Sequence, residues 1–176
     1  MTIGVILCGG LSTRMKSDKG LVSFGGVSFL EVIYDSVIEC FDSVVVSINS
    51  SQVDAYTARF LDYKFVVDSS DEKGPINGIL SVHKQYPSSN LLVVPCDMIK
   101  LDKSFLLELE SLESQVYKEV EIQPFPMFVT SDKLKEISEV KLERYSLKYI
   151  IEEFKIKSKD ISSDNRFFNA NSMSDL

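Results

Sequence analysis

Residues 3–19 read IGVILCGGLSTRMKSDK, and this stretch decides the fold. Ile3 to Cys8 is a short apolar run that stops at Gly9-Gly10. A continuous run of this length, without alternation, predicts a strand buried on both faces. The glycines open a loop that carries Arg14, Lys16 and Lys19. A buried first strand running into a glycine-rich basic loop is how an open α/β sheet begins, and such sheets bind ligands outside the carboxyl ends of their strands.

Outward from this stretch, strand and helix signals alternate. Ser28 to Phe41 places Leu30, Ile33, Val37, Ile38 and Phe41 at helical spacing, with Ser28 as N-cap. Ser43 to Ile48 is a β-branched strand, Gln52 to Leu61 a helix, and Lys64 to Val67 a third strand ended by Asp68-Ser69-Ser70-Asp71. Pro75 can occupy the first position of a helix over Ile76 to Tyr86. Leu91 to Pro95 is a fourth strand ended by Cys96-Asp97, and Leu101 to Glu113 a helix. From Ser114 the pattern loosens: Val116 to Ile122 and Met127 to Thr130 suit a strand pair, while Ser131 to Ser138 and Ser146 to Phe154 look helical. Short links between alternating elements predict an α/β fold, doubly wound and mostly parallel, with helices on both faces. With no linker or repeat, residues 1–176 read as one domain.

Composition narrows the functional classes. The 176 residues are 44% hydrophobic and 26% charged, enough for a packed core. No apolar run approaches the ~18 residues a membrane span needs. The N-terminus lacks a positively charged n-region and Gly9-Gly10 breaks its apolar run, so a cytoplasmic protein is expected, without membrane association. Cys8, Cys40 and Cys96 show neither CxxC nor zinc spacing. Cys8 and Cys96 end apolar runs and read as small core residues, although Cys96 beside Asp97 leaves a nucleophilic role open. His83 is the single histidine and falls in a predicted helix, which excludes His-based triads and multi-His metal sites. The net charge of −7 argues against nucleic acid. Residues 1–30 nevertheless carry three basic side chains against Asp18 alone, which fits a small anionic ligand held at one place.

Four polar segments should meet at the carboxyl edge of the sheet: Gly9 to Lys19, Ser47 to Ser50, Asp68 to Gly78, and Cys96-Asp97. The first lacks both the GxxxxGK(S/T) and GxGxxG spacings. It has the materials of a phosphate loop all the same. Gly9 and Gly10 let backbone N–H groups approach phosphate oxygens, Arg14 can fork onto two of them, and Lys19 supplies a compact charge. Asp97, after an apolar strand, is placed to hold Mg²⁺, which takes one or two carboxylates plus substrate phosphates; a turn or N-cap aspartate is the alternative. Asp68 could be a second ligand, a base or ribose contact, or a turn residue. Gly74-Pro75 and Gly78 let a helix start approach a ligand, or simply cap a turn.

These motifs resemble a known family. LCGGLSTRMKSDKG is similar to the L-A-G-G-x-S-x-R-M-G-x-D-K signature of the MobA-like nucleotidyltransferases. The likeness continues through Gly74-Pro75-Ile76-Asn77-Gly78-Ile79 (family G-P-L-A-G-(I/M)), Pro95-Cys96-Asp97 (P-C-D-x-P) and Gln123-Pro124 ((H/Q)-P). Glu143 to Leu147 is similar to an R-x-S-L segment, and Phe168 to Ser172 resembles a terminal F-x-N-x-N-T, which favours the molybdenum cofactor branch. Lys16 stands where the family has glycine, Cys8 where it has alanine, and Ile99 where it has the last proline of P-C-D-x-P.

The resemblance implies a Rossmann-like nucleotidyltransferase fold. Residues 1–100 would form its nucleotide-binding half and residues 101–176 its acceptor-binding half. It implies GTP as donor, molybdopterin cofactor as acceptor, Mg²⁺ as cofactor, and molybdoenzymes or their chaperones as partners. Position by position, Leu7, Cys8 and Gly9 would contact the guanosine, Gly10 would belong to the same nucleotide-binding loop, Asn49 would touch the base, and Lys19 would hold the triphosphate. Asp68, Gly74 and Gly78 would contribute to nucleotide binding, Asp97 would bind both metal and nucleotide, and Asn169 and Asn171 would lie toward the acceptor. Arg14, Lys19 and Asp97 would carry catalysis. The acceptor is a phosphate with second pKa near 6, already ionised at neutral pH, so the reaction needs positioning and charge neutralisation and no general base. The loop reads mainly phosphates, so it leaves open CTP as donor, another phosphate acceptor, or a non-catalytic binding module.

Overall fold

A computed structural model describes residues 1–9, 18–69, 74–101, 103–110, 115–118 and 122–160. Strand β1 (Thr2–Leu7) precedes a 3-10 turn (Lys19–Leu21), the short strands β2 (Ser23–Phe24) and β3 (Val27–Ser28), and helix α1 (Phe29–Ile38). Strand β4 (Val44–Ile48) leads through a second 3-10 turn (Ser50–Gln52) into α2 (Val53–Arg59), and β5 (Phe65–Val67) precedes α3 (Pro75–Gln85). Strand β6 (Asn90–Pro95), helix α4 (Lys103–Glu110), β7 (Gln115–Lys118), β8 (Ile122–Val129), α5 (Ser131–Ser138), α6 (Leu147–Glu153) and β9 (Lys157–Asp160) complete the order.

Seven of the described strands form one sheet in the order β5-β4-β1-β6-β8-β7-β9, and β2 pairs with β3 separately. Strand β1 is central, parallel to β4 on one side and to β6 on the other. Strand β5 extends the parallel part beyond β4. Strand β8 runs antiparallel to both β6 and β7, and β9 is parallel to β7. The chain leaves β1 toward β4 on one side and later returns to β6 on the other. The strand order therefore reverses between β1 and β6, and the crevice such a reversal opens is where open α/β sheets hold ligands.

The apolar runs of the central strands serve two cores. Ile6, Cys8, Val44, Val46, Ile48, Leu92, Val94 and Cys96 face α1, α2 and α4, whose Leu30, Ile33, Tyr56, Phe105 and Leu109 pack against them. Their neighbours Val5, Leu7, Val45, Leu91 and Val93 face Ile76, Ile79, Leu134 and Ile150 of α3, α5 and α6. Successive residues point to opposite faces, so a strand covered on both sides must be apolar throughout. Gly4 lets α1 approach β1, since a Cβ there would overlap Val37. Ser28 caps α1 in a full capping box with Glu31, a device contributing ~1 kcal/mol.

The expected α/β architecture is present, with local differences, among them the unexpected β2–β3 pair and an α1 that ends at Ile38 and not at Phe41. The helix expected from Gln52 starts at Val53, because Asn49 and Gln52 close a 3-10 turn ahead of it through a capping box of their own. The expected strand pair is shifted: Ile122 belongs to β8, which continues through Gln123-Pro124-Phe125-Pro126 to Val129. Those prolines lack N–H donors and obscure the strand in the sequence. Strand β8 pairs with β6 only from Met127 to Val129, past both prolines. Strand β9, Lys-Ser-Lys-Asp, has no apolar residue and lies at the sheet edge, where charge is common. No helix among the described residues is long and apolar enough to cross a membrane.

Candidate active site

The carboxyl ends of β1, β4, β5 and β6 carry the described parts of the expected segments. Lys19 Nζ donates to Asp97 Oδ2 at 2.6 Å, across 78 residues of sequence. Asp97 follows β6 and Lys19 begins the turn after the β1 loop, so the pair spans the point where the strand order reverses. Their side chains are 25% and 12% exposed, enough for a ligand to reach them and little enough for the charges to be felt strongly.

A second cluster lies on the α3 side. Ser47 Oγ donates to Asp68 Oδ1 at 2.8 Å. The other carboxylate oxygen faces Gly9, where a Cβ would come within 2.8 Å of it. A Cβ on Gly78 would overlap Ser47 Oγ and stand 3.3 Å from Asp68 Oδ1. Both glycines are thus required by close approach around one carboxylate. Burial raises the Asp68 carboxyl above its usual range, and the Ser47 hydrogen bond opposes that shift. Leu7 and Gly9 lie beside this cluster, with Cys8 and Gly9 both donating their N–H groups to the Ser47 carbonyl.

Other expected residues have definite places. Asn49 uses its side-chain oxygen to accept from Ser51 N (3.0 Å) and Ser51 Oγ (2.7 Å), so that oxygen caps its own turn. Gly74 has φ = 112° and starts α3, with the Tyr145 carbonyl 3.2 Å from where its Cβ would be. This sets the Glu143 to Leu147 segment against the start of α3. Cys96 is buried and its N–H donates to the Leu7 carbonyl. Burial, with the Cys96 thiol beside it, pushes the Cys8 thiol well up, which fits a core role. Gly10, Arg14, Lys16, Asn169 and Asn171 lie outside the described residues.

Four participants were not singled out from the sequence as site residues. Asp18 accepts hydrogen bonds from Gly20, Gln52 and Tyr56. Gln52 could have been found by its spacing from Asn49, the i to i+3 pattern of a capping box. Tyr56 looks like an ordinary core aromatic, and Ser47 like the polar break in a β-branched strand.

Among the described residues no three His, Cys, Asp or Glu side chains gather closely enough to cage a metal. A single carboxylate can still hold Mg²⁺ where phosphate oxygens and water complete the shell of the ion. Asp97 fits that mode of holding.

The chain is similar to several known proteins. A "Probable molybdenum cofactor guanylyltransferase" of Flavobacterium johnsoniae is 31% identical over 110 residues, covering 62% of this chain and 55% of that one. The chain spans about half the length, or less, of the curated relatives it matches. The molybdopterin-guanine dinucleotide biosynthesis protein A of Archaeoglobus fulgidus superposes with TM-score 0.75 at 18% identity, covering 99% of this chain and 94% of that one. A Mycobacterium tuberculosis protein crystallised as a complex with manganese has the same fold, with TM-score 0.69 at 15% identity and coverage of 93% and 89%. The description "MobA-like NTP transferase domain" matches residues 4–155, from β1 through α6, and the chain belongs to that family.

Proposed function

We propose that the protein transfers GMP from GTP to the terminal phosphate of molybdopterin cofactor, forming the guanine dinucleotide cofactor and releasing pyrophosphate in a Mg²⁺-dependent reaction. The observation that carries this reading is the Lys19–Asp97 pair at the strand-order reversal. It sets an ammonium suited to phosphate and a carboxylate suited to a divalent ion 2.6 Å apart at the kind of place where open α/β sheets hold ligands. The names of the curated relatives support guanylyl transfer as the chemistry.

In this reading residues 1–100 hold the nucleotide and residues 101–176 the acceptor, with Asn169 and Asn171 toward the acceptor. Leu7, Cys8 and Gly9 line the guanosine, while Gly74 and Gly78 admit it to the start of α3. Asp68 turns its unshared oxygen toward Gly9, where it can accept from a base or ribose donor. Lys19 leaves Asp97 for the triphosphate, freeing the carboxylate. A phosphate oxygen of the acceptor attacks the α-phosphorus as the bond to pyrophosphate breaks, and Lys19 with Arg14 balances the charge of the leaving group. A divalent ion, when bound at Asp97, supplies charge stabilisation at the α-phosphate. No side chain has to remove a proton, in keeping with His83 lying 6% exposed in α3.

The test is pyrophosphate release with molybdopterin cofactor and Mg²⁺ in parallel reactions with GTP, CTP, ATP and UTP. Release with GTP, lost on omitting either acceptor or metal, is expected. Preferred turnover of CTP would move the protein to cytidylyl transfer, and turnover of none would make it a binding module.

A further inference from the structure

We propose that Asp18 is the positioning residue for Lys19, locking the turn that aims the phosphate-binding ammonium at the site. This rests on the reading above.

Asp18 precedes Lys19 and caps the 3-10 turn Lys19–Leu21. Its carboxylate accepts from three separate pieces of the chain. Within its own turn, Gly20 N donates to Oδ1 at 3.1 Å. Tyr56 Oη, from α2, donates to the same oxygen at 2.6 Å. Gln52 Nε2, from the turn after β4, donates to Oδ2 at 2.5 Å. Gln52 Nε2 also donates to the Cys8 carbonyl at 3.1 Å, at the end of β1, and Gln52 Oε1 accepts from Asn49 N at 2.9 Å. One carboxylate thereby ties the Lys19 turn to the ends of β1 and β4 and to α2.

The anchor is rigid. Tyr56 is fully buried and Gln52 is 7% exposed. Burial keeps the Tyr56 phenol protonated, hence a donor. Gly20 is also buried, and a Cβ on it would overlap Tyr56 Oη, so the turn sits directly on that hydroxyl. A satisfied polar network in a low-dielectric setting has few alternative arrangements.

Among the described residues every donor to the Asp18 carboxylate is neutral, while the adjacent ammonium turns away to Asp97. A carboxylate serving as the counter-ion of Lys19 would compete with phosphate. Asp18 instead has three bonds on its roughly four acceptor sites, so it fixes the backbone of Lys19 without claiming its charge.

The experiment is a double-mutant cycle read by equilibrium binding of two probes, GTP with Mg²⁺ and guanosine. The proteins are wild type, Asp18→Asn, Tyr56→Phe, Lys19→Ala, and each of the first two variants combined with Lys19→Ala. Asp18→Asn sets an amide donor against Gln52 Nε2, and Tyr56→Phe removes one donor while keeping the ring. Each should weaken GTP roughly tenfold, the range of a charge-assisted hydrogen bond, with guanosine affinity changed less than about twofold. In the Lys19→Ala background the effect should vanish, because Asp18 acts through Lys19. Equal loss for both probes, or the same GTP loss without Lys19, overturns the proposal and leaves a purely structural role. If Asp18→Asn does not fold, Tyr56→Phe decides the matter on the same criteria. A wild type that binds neither probe overturns the parent reading and this one with it; a wild type that binds GTP but gives an additive cycle overturns this one alone.

Discussion

Lys19 and Asp97 form an ion pair at 2.6 Å, so the two groups proposed to serve a metal–nucleotide complex are also each other's partners. Replacing Lys19 by Met removes a cation that competes for Asp97. We expect Mn²⁺ alone to bind several-fold tighter, in line with a partly exposed ion pair, while GTP binds more weakly. Titration by electron paramagnetic resonance measures the first effect and calorimetry the second. Unchanged Mn²⁺ affinity would show that Asp97 does not face the metal.

Asp97→Asn keeps the size of the side chain and removes its charge. Metal-dependent pyrophosphate release should fall at least about a hundredfold, with the circular dichroism spectrum preserved. Turnover like wild type in a folded variant would remove Asp97 from the mechanism.

Asp68 is held where burial disfavours its charge. Its carboxyl in the folded state lies above the unfolded value, so its contribution to stability is complete below that unfolded value, near 4, and is lost as pH rises through the folded one. Asp68→Asn should therefore melt higher than wild type at pH 7, and the difference should shrink toward pH 4. The same variant should bind GTP less tightly, a stability gain set against function. Thermal melts across that pH range, beside nucleotide titrations, check both halves.

Gly78→Ala places a methyl group onto Ser47 Oγ, against Leu7 and Asp68. Overpacking of this kind costs about 1–3 kcal/mol. Urea unfolding should show that loss, and GTP affinity should fall with it because Ser47 orients Asp68.

His83 is buried, its Nδ1 has no hydrogen-bond partner among the described residues, and desolvation lowers its titration below the ordinary value. The folded state resists the proton that the unfolded chain accepts near pH 6.5, so stability is complete above that value and declines as pH falls below it. His83→Leu should flatten the decline between pH 7 and 5. An unchanged slope in denaturant melts would place the pH dependence elsewhere.

Much of the fold was legible because its signals are local. A run such as Leu91 to Pro95 predicts its own strand, and Ser28, Ser146 and Pro75 mark helix starts that α1, α6 and α3 use. The polar residues that end those runs, Asp68 and Asp97, lie at the sheet's carboxyl edge as expected, for a strand end fixes the direction in which the next residue leaves. Strand β8 was blurred because Pro124 and Pro126 hide a strand that pairs with β6 only beyond them. Strand β9 was missed because an edge strand needs no apolar face.

The amino-acid order alone thus settled the alternation of elements and the family, and it supplied Leu7 to Lys19, Asp68 and Asp97 as candidates for the chemistry. Which of them touch was decided by register. Strand β1 lies between β4 and β6, aligning Leu7 with Ser47 and with Pro95, and this brings Lys19 to Asp97 and closes Gly9 and Gly78 around Asp68. The Asp18 clamp likewise draws Gln52 and Tyr56 from more than thirty residues away. Such pairs depend on strand order and helix packing, long-range properties to which short-range periodicity is blind.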